Sequence, residues 1–298
     1  MSEKPPRVLS YNMKSYGRSA ISTRRGQHEL LRFQRPDVIC LQDVYAQHQR
    51  GANGPADAQQ KELESLVGTI AETLGMTALA VPAVHSDSHL AILWRPEYHA
   101  LSQRTYDVQL WHGLGVVQLD VGADVPLTVA VTHLGPWNPA KQLADAITLT
   151  GQLPLGPATI LGADWNSFGA DPGYDPEPDW TSLPPGSIPS LVRWTDDPDA
   201  PPTADRRPAQ LMQRSGWYDV AHTLRVPWQA TGGHQGGWRR REDVFWTNRP
   251  QALRSYRVVD TPTARKVSDH LPIVTDIDRH TLDSVATAVD ALPQRSPR

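Results

Sequence analysis

Short apolar runs rich in Val, Ile, Thr and aromatics recur from one end of the chain to the other. They lie at residues 8–11, 37–41, 77–81, 90–94, 115–121, 127–134, 158–161, 243–247, 255–259 and 270–277. Most are too short for helices, so the pattern predicts strands. The run at 127–134 is almost continuously apolar, as in a strand covered on both faces. Three other stretches have helical spacing. Residues 58–74 repeat Leu63, Leu66, Val67, Ile70, Ala71 and Leu74 on one face. Residues 19–33 carry Leu30, Leu31 and Phe33 and stop before Pro36, while residues 139–149 open on a proline suited to a first turn and repeat Leu143, Ala146 and Ile147. Helices alternate with strands in the first half, and strands follow one another more directly in the second. The order predicts an α/β fold of stacked layers, with helices outside two sheets. No repeat or clean linker interrupts it, so residues 1–278 read as a single domain. The tail, 279–298, is weakly helical at best and then frayed.

Composition narrows this only a little. Apolar residues make up 39% of the 298, enough for a sizeable core, and the net charge of −3 exerts no global pull toward nucleic acid or an anionic membrane. The lone cysteine, Cys40, excludes an internal disulfide and reads as a small buried hydrophobe. Residues 1–6 lack the apolar core of a signal peptide. No run approaches the roughly 18 apolar residues of a membrane span. These features predict a cytoplasmic protein without an obligate protein partner. Local charge is more uneven. Residues 167–205, rich in Pro, Gly and Asp, hold eight acids and one arginine, whereas 206–257 hold ten arginines and three acids. The two blocks either pair across the surface or frame a cleft.

Chemistry-bearing residues gather where the predicted strands end. Asn12 follows the first run, Gln42-Asp43 the second, His133 closes 127–132, Asp164-Trp165-Asn166 closes 158–162, and Ser268-Asp269-His270 opens the last. Packed strands can bring such ends to one rim. Asp164 and Asn166, two apart, point to the same side if the strand reaches them. Together they suit work on phosphate, because a carboxylate can take a water's proton or hold a metal while a carboxamide donates without adding charge. Taken singly, each site also has a structural reading. Asp-x-Asn caps turns, an Asp beside a His stabilises a loop, and His133 could be a hydrogen-bonded core residue.

The ordered set Asn12, Gln42-Asp43, Thr132-His133-Leu134, Gly162-Ala163-Asp164-Trp165-Asn166, Arg241-Glu242-Asp243-Val244-Phe245 and Ser268-Asp269-His270-Leu271-Pro272 resembles the endonuclease/exonuclease/phosphatase superfamily of DNase I-like enzymes. The resemblance runs from about residue 7 to 277. It implies a four-layer α/β sandwich, with two packed, mostly antiparallel sheets flanked by helices. It also implies hydrolysis of a phosphate ester, as in a nuclease-like phosphodiesterase, with Mg²⁺ as cofactor and Mn²⁺ as a substitute. By motif, Asn12, Asp43 and Asp269 would serve the metal, and Asp164 would orient or deprotonate water. Asn166 would hold a phosphate oxygen. His270, oriented by Asp243, would contact phosphate or act as base, and His133 would contact phosphate or protonate the leaving oxygen. Arg241 and Trp165, flanking these motifs, join Asn166 as expected substrate contacts.

Three departures from the pattern matter. The metal carboxylate is usually Glu in Leu-Gln-Glu, and here it is Asp43, one methylene shorter. Gly-Asp-Phe-Asn becomes Gly162-Ala163-Asp164-Trp165-Asn166. The carboxylate that usually pairs with the second histidine has only Asp87 as a candidate, in a stretch where His85 and His89 read as surface-loop residues. The ten tryptophans and the run Arg239-Arg240-Arg241 could stack bases and neutralise phosphates, or the tryptophans could fill the core. An acidic segment directly after Asn166 would repel a polyanion within a Debye length of about 8 Å. A phosphodiester in nucleic acid is therefore closely rivalled by a small phosphomonoester or a phospholipid-type diester. The shortened Asp43 also leaves room for a non-hydrolytic relative of the fold.

Overall fold

The computed structural model describes residues 4–46, 56–106, 109–153, 155–197, 199–236 and 238–283. The chain begins with β1 (Arg7–Asn12), α1 (Ile21–Gln34), β2 (Val38–Tyr45) and α2 (Ala56–Leu74). Five strands follow, β3 (Thr77–Val81), β4 (Ser88–Trp94), β5 (His99–Tyr106), β6 (Leu114–Asp120) and β7 (Leu127–His133), and the chain passes from one sheet to the other between β4 and β5. Next come α3 (Pro139–Gln152), β8 (Ala158–Asp164), α4 (Arg207–Arg214), β9 (Tyr218–Asp219) and α5 (Val220–Thr223). The last elements are β10 (Asp243–Thr247), β11 (Leu253–Val258), α6 (Pro262–Val267) and β12 (Ile273–Ile277).

The strands form two six-stranded sheets, ordered β11-β12-β1-β2-β4-β3 and β5-β6-β7-β8-β10-β9. Each has one parallel pair near its centre, joined through a helix: β1–α1–β2 in the first and β7–α3–β8 in the second. All other pairings are antiparallel. The continuously apolar runs have a direct explanation. Side chains alternate across a strand, so Val8, Val38, Cys40, Val129, Val131 and Ile160 fill the space between the sheets. Their neighbours Leu9, Ile39 and Leu41 turn outward under α1, α2 and α6, and Ala130 and Leu161 turn outward under α3 and α4. The result is the four-layer, DNase I-like sandwich. The sheets approach closely enough that a Cβ on Gly162 would lie 2.9 Å from the Cβ of Cys40. Cys40 is fully buried there, and burial pushes its thiol up to about 12, so it packs as a hydrophobe.

Five elements among the described residues escaped the hydropathy pattern: the short β9, α5 and α6, and the longer β5 and α4. β5 is an edge strand paired only with β6, and most of its residues are exposed, so little in it needs to be apolar. α4 covers one side of the second sheet chiefly through Ala209 and Met212, with Leu211 partly buried beside them. The strand expected from residue 270 begins at Ile273, because His270 and its neighbours form the approach to it. The acidic segment 167–205 builds a small lobe on Phe168, Leu183, Leu191 and Ala204. Arg206 fastens it by donating to the carbonyls of Gly169 and Asp175 at 2.6 and 2.7 Å. Residues 284–298, most of the expected frayed tail, lie outside the described residues. No helix among the described residues is long and apolar enough to cross a membrane.

Candidate active site

Parallel pairing places Asn12 beside Gln42 and His133 beside Asp164, and antiparallel pairing sets Asp243 against Asp164. Strand ends from both sheets therefore meet at one rim. Asp164 lies at its centre, 1% exposed. Its Oδ2 accepts a hydrogen bond from Asn12 Nδ2 at 2.8 Å and lies 3.2 Å from His133 Nε2 and 3.9 Å from His270 Nε2. Its Oδ1 accepts from the backbone N–H of Asn166 at 3.2 Å. Asp243, fully buried, holds His270 Nδ1 at 3.0 Å, so the other ring nitrogen faces Asp164. Ser268 ties the two approaches together: its hydroxyl donates to Asn12 O and accepts from His270 N.

The electrostatics follow from this packing. Burial disfavours a charged Asp164, but the adjacent His133 and His270 outweigh it and hold the carboxyl well below the usual range. The reciprocal effect raises both imidazoles against the cost of burial: His133 through Asp164, and His270 further still through Asp243 and Asp164. His270, the more strongly raised of the two, is the imidazolium of the pair, and His133 shifts the same way by less. Burial lifts Asp243 and Glu242 above the ordinary carboxylate range.

Asn166 has a left-handed backbone, φ 47°. Its amide is fixed by donation to Leu134 O at 3.0 Å and acceptance from Arg240 Nη2 at 3.3 Å. Asp43 also has φ 57°, at a bulge where the β2–β4 register slips between Leu41 and Val44. A bulge re-aims a side chain, and this one directs Asp43 Oδ2 to the backbone N–H of Ser15 at 2.7 Å. Lys14 and Ser15 are left-handed as well, φ 47° and 53°. Four non-glycine residues in this strained region at one rim mark a place where geometry takes precedence over backbone comfort. Asp269, half-exposed, faces Lys14 Nζ at 3.6 Å.

Not every expected contact reaches the rim. Arg241 is buried, and its guanidinium pairs with Asp219 at 2.5 Å on the far side of the 239–243 segment. Arg241 precedes β10, so strand alternation does not set its direction: it turns to Asp219, while Glu242 and Asp243 both approach His270. Trp165 is fully buried against Trp246 beneath the second sheet, its ring centre 5.4 Å away. Neither side chain can touch a substrate at the rim, which corrects both expectations. Asp87 accepts from the Tyr45 hydroxyl at 3.1 Å, and His133 Nδ1 has no hydrogen-bond partner among the described residues. His85 is exposed as expected, but His89 is fully buried and accepts from Ala83 N at 2.9 Å.

Three residues come to the rim that motif order left without a role. Arg240 pairs with Glu242 and reaches Asn166. Glu242 is 6% exposed, with Oε2 3.9 Å from His270 Nε2. It fits because position 232 is glycine: a Cβ there would sit 1.6 Å from Glu242 Oε2. His112 stacks on His133 at 4.1 Å with the rings 13° from parallel, and its Nδ1 bonds Ser88 O at 3.0 Å. Burial first, and then the neighbouring His133, lower His112 well below the usual histidine range, so it is neutral. The charged residue beside Asp243 was a signal for Glu242, whereas nothing local in the sequence pairs His112 with His133.

The family model described as the Endonuclease/Exonuclease/phosphatase family matches residues 9–270. No curated protein sequence matches the chain. Among solved structures, a humanized zebrafish (D. rerio) TDP2 is similar at 15% identity and TM-score 0.60, covering 93% of this chain and 100% of that one. The human Nocturnin catalytic domain with bound sulfate is similar at 16% identity and TM-score 0.59, covering 92% and 93%. A mannosyl-6-phosphatase from Bacteroides thetaiotaomicron is similar at 12% identity and TM-score 0.60, covering 91% and 99%. At these identities the likeness is one of fold.

Proposed function

The chain belongs to the endonuclease/exonuclease/phosphatase family, and from that premise we propose that it is a metal-dependent phosphoesterase that hydrolyses a phosphodiester by in-line attack of water. The observation that carries the reading is Asp164: a buried, ionised carboxylate held by Asn12 and flanked by the His133 and His270 imidazoles. Such a carboxylate accepts a hydrogen bond from the attacking water and aligns it. His270, with its tautomer and ring plane set by Asp243, presents an Nε2 proton to a phosphoryl oxygen. His133, whose affinity for a proton Asp164 raises, supplies a proton to the leaving oxygen. Asn166 donates to phosphate from an amide already pinned at both ends, so little ordering remains at the moment of reaction.

The residues present suit a hard cation. Asp43 makes no ion pair among the described residues, Asp269 has a loose lysine neighbour, and the side-chain Oδ1 of Asn12 accepts one backbone N–H, from Lys14. No closed group of three or more His, Cys, Asp or Glu ligands is gathered among the described residues. An open set of one or two carboxylates and an amide oxygen is how Mg²⁺ is held, since it keeps several waters. Asn12, Asp43 and Asp269 would hold it. When bound, such an ion neutralises charge on the phosphoryl group and acidifies water.

A second reading, hydrolysis of a compact phosphomonoester, is favoured by the acidic lobe that follows Asn166. Both are tested by a panel with Mg²⁺ of plasmid DNA, RNA, an aryl phosphodiester, an aryl phosphomonoester, inositol phosphates and sphingomyelin. On the best substrate, Asp164→Asn is expected to lower turnover by about 10²–10⁴-fold with the melting curve still cooperative. Near-normal turnover in that variant would remove Asp164 from the reaction. Absence of Mg²⁺ or Mn²⁺ binding by calorimetry, in folded protein, would favour a non-hydrolytic member of the fold.

A further inference from the structure

A cavity of about 100 Å³ opens beside Asn166, between the acidic lobe and the segment leading into β10. Phe168, Pro176 and Pro178 line it from the lobe, and Trp228, Trp238 and Arg239 line it from the other side. Its aromatic walls are braced. Trp228 donates from Nε1 to Asp175 at 2.7 Å, yet 38% of its surface is exposed. Trp238 lies with its ring centre 5.9 Å from that of Phe168, and the Arg240 guanidinium sits 5.9 Å from its ring. The same Arg240 bonds Asn166, so one side chain touches both the cavity and the rim.

The charges sort the ligands it can take. Both oxygens of Asp175 are engaged, by Trp228 Nε1 and the N–H of Gly169, and both of Glu177, by Trp180 Nε1 and the N–H of Ala204. Arg241 is committed to Asp219, and Arg240 to Glu242. Arg239 is exposed, and no hydrogen bond or ion pair engages its side chain among the described residues. The cavity thus offers flat, preset aromatic surfaces and one free planar donor. At about 100 Å³ it is smaller than the roughly 150 Å³ that encloses benzene, so a planar ring seats in it only in part and leaves an edge at the open mouth formed by Trp228 and Arg239. Stacked aromatics with an arginine are how proteins hold an isolated base, because every base has a π-face and carbonyl or ring-nitrogen acceptors. The acidic lobe beyond disfavours a continuing phosphate chain.

We propose that this cavity is a subsite for one nucleobase of the substrate, so that the enzyme acts on a nucleotide ester of low charge and not along a polynucleotide. The inference rests on the phosphoesterase reading above for the placement of phosphate beside Asn166. The base stacks on Trp228 and Trp238, Arg239 donates to its acceptor edge, and its phosphate reaches the rim past Arg240.

The test compares two esters that release the same p-nitrophenol, thymidine 5′-(p-nitrophenyl phosphate) and methyl p-nitrophenyl phosphate, with Mg²⁺. Wild type is expected to favour the nucleotide ester in kcat/KM by about tenfold or more. Trp238→Ala and Arg239→Ala should each erode that preference, and Trp238→Phe, which keeps a ring, should retain most of it. Arg239 is exposed, so its variant reports even if Trp238→Ala does not fold. Equal use of the two esters by wild type, or a preference unchanged in the variants, overturns the subsite. If wild type cleaves neither ester, the phosphodiesterase reading fails while the phosphomonoesterase reading stands, and the subsite is then judged by binding. Calorimetry with thymidine monophosphate should show binding weakened in Arg239→Ala, and no binding by wild type would sink it.

Discussion

The two sheets bring unlike ends to the same rim. From the second sheet come His133, Asp164 and Asp243, all buried and locked by strand register and direct hydrogen bonds. The first sheet contributes Asn12 and Asp43. Asp43 is only half-buried and is placed by a bulge and a run of left-handed residues, not by ladder register. A site that must align a water needs the first kind of construction, since a misplaced carboxylate loses its acceptor geometry. A site that must admit a hydrated cation gains from the second, since open oxygen donors leave room for water. The contrast explains how a shortened carboxylate can be tolerated at position 43 and not at 164.

Experiments can break the contrast at the open side first. Asp43→Asn is expected to raise the Mg²⁺ concentration for half-maximal rate by about tenfold or more while leaving thermal stability nearly unchanged. Asp43→Glu, which restores the family's longer side chain, sharpens the same point: tighter Mg²⁺ would show a site drifted from its optimum, and weaker Mg²⁺ a backbone rebuilt around aspartate. Calorimetric titration of each variant checks both. A large loss of stability in Asp43→Asn would mean that the bulge depends on the carboxylate and that the open side is as interlocked as the buried one.

On the buried side, His133 is held by Asp164 at Nε2 and by stacking on His112, with no hydrogen-bond partner at Nδ1 among the described residues. Aromatic stacking is worth about 0.5–1.5 kcal/mol, so His112→Ala should cut kcat by roughly two- to tenfold with KM little changed. His112→Phe should recover most of the loss, because the ring and not its nitrogen does the positioning. Rescue by Phe with a shifted pH–rate profile would instead show that the nitrogen matters.

The smallest effect concerns pH and stability. His133 and His270 have folded pKa values raised above the unfolded value of about 6.5. Their contribution is therefore fully present below that value and is lost as pH rises through the folded values. Melting temperature should fall modestly as pH rises through those folded values, and Asp164→Asn should flatten the fall, since Asp164 raises both groups. Melting curves at several pH values decide it, and an unchanged slope in the variant would show that Asp164 is not the source of the shift.

The strand and helix pattern, the two-sheet architecture and the order of Asn12, Asp43, His133, Asp164, Asp243 and His270 were legible from residues alone. Alternation and apolar runs are local properties, and strands covered on both faces must be apolar throughout. β5 was invisible because an edge strand open to water has no need of apolar side chains. Side-chain direction at the rim was the other gap. Arg241 and Trp165 stand within two residues of Asp243 and Asp164, yet they point into a buried ion pair and the outer core. Arg240, Glu242 and His112 took places at the rim that motif order did not assign. The sequence by itself determined which elements form and which groups are available for chemistry. Only the tertiary structure decided which of those groups meet, because a one-residue step along a strand reverses the face, and stacking such as that of His112 on His133 joins residues with no local relation.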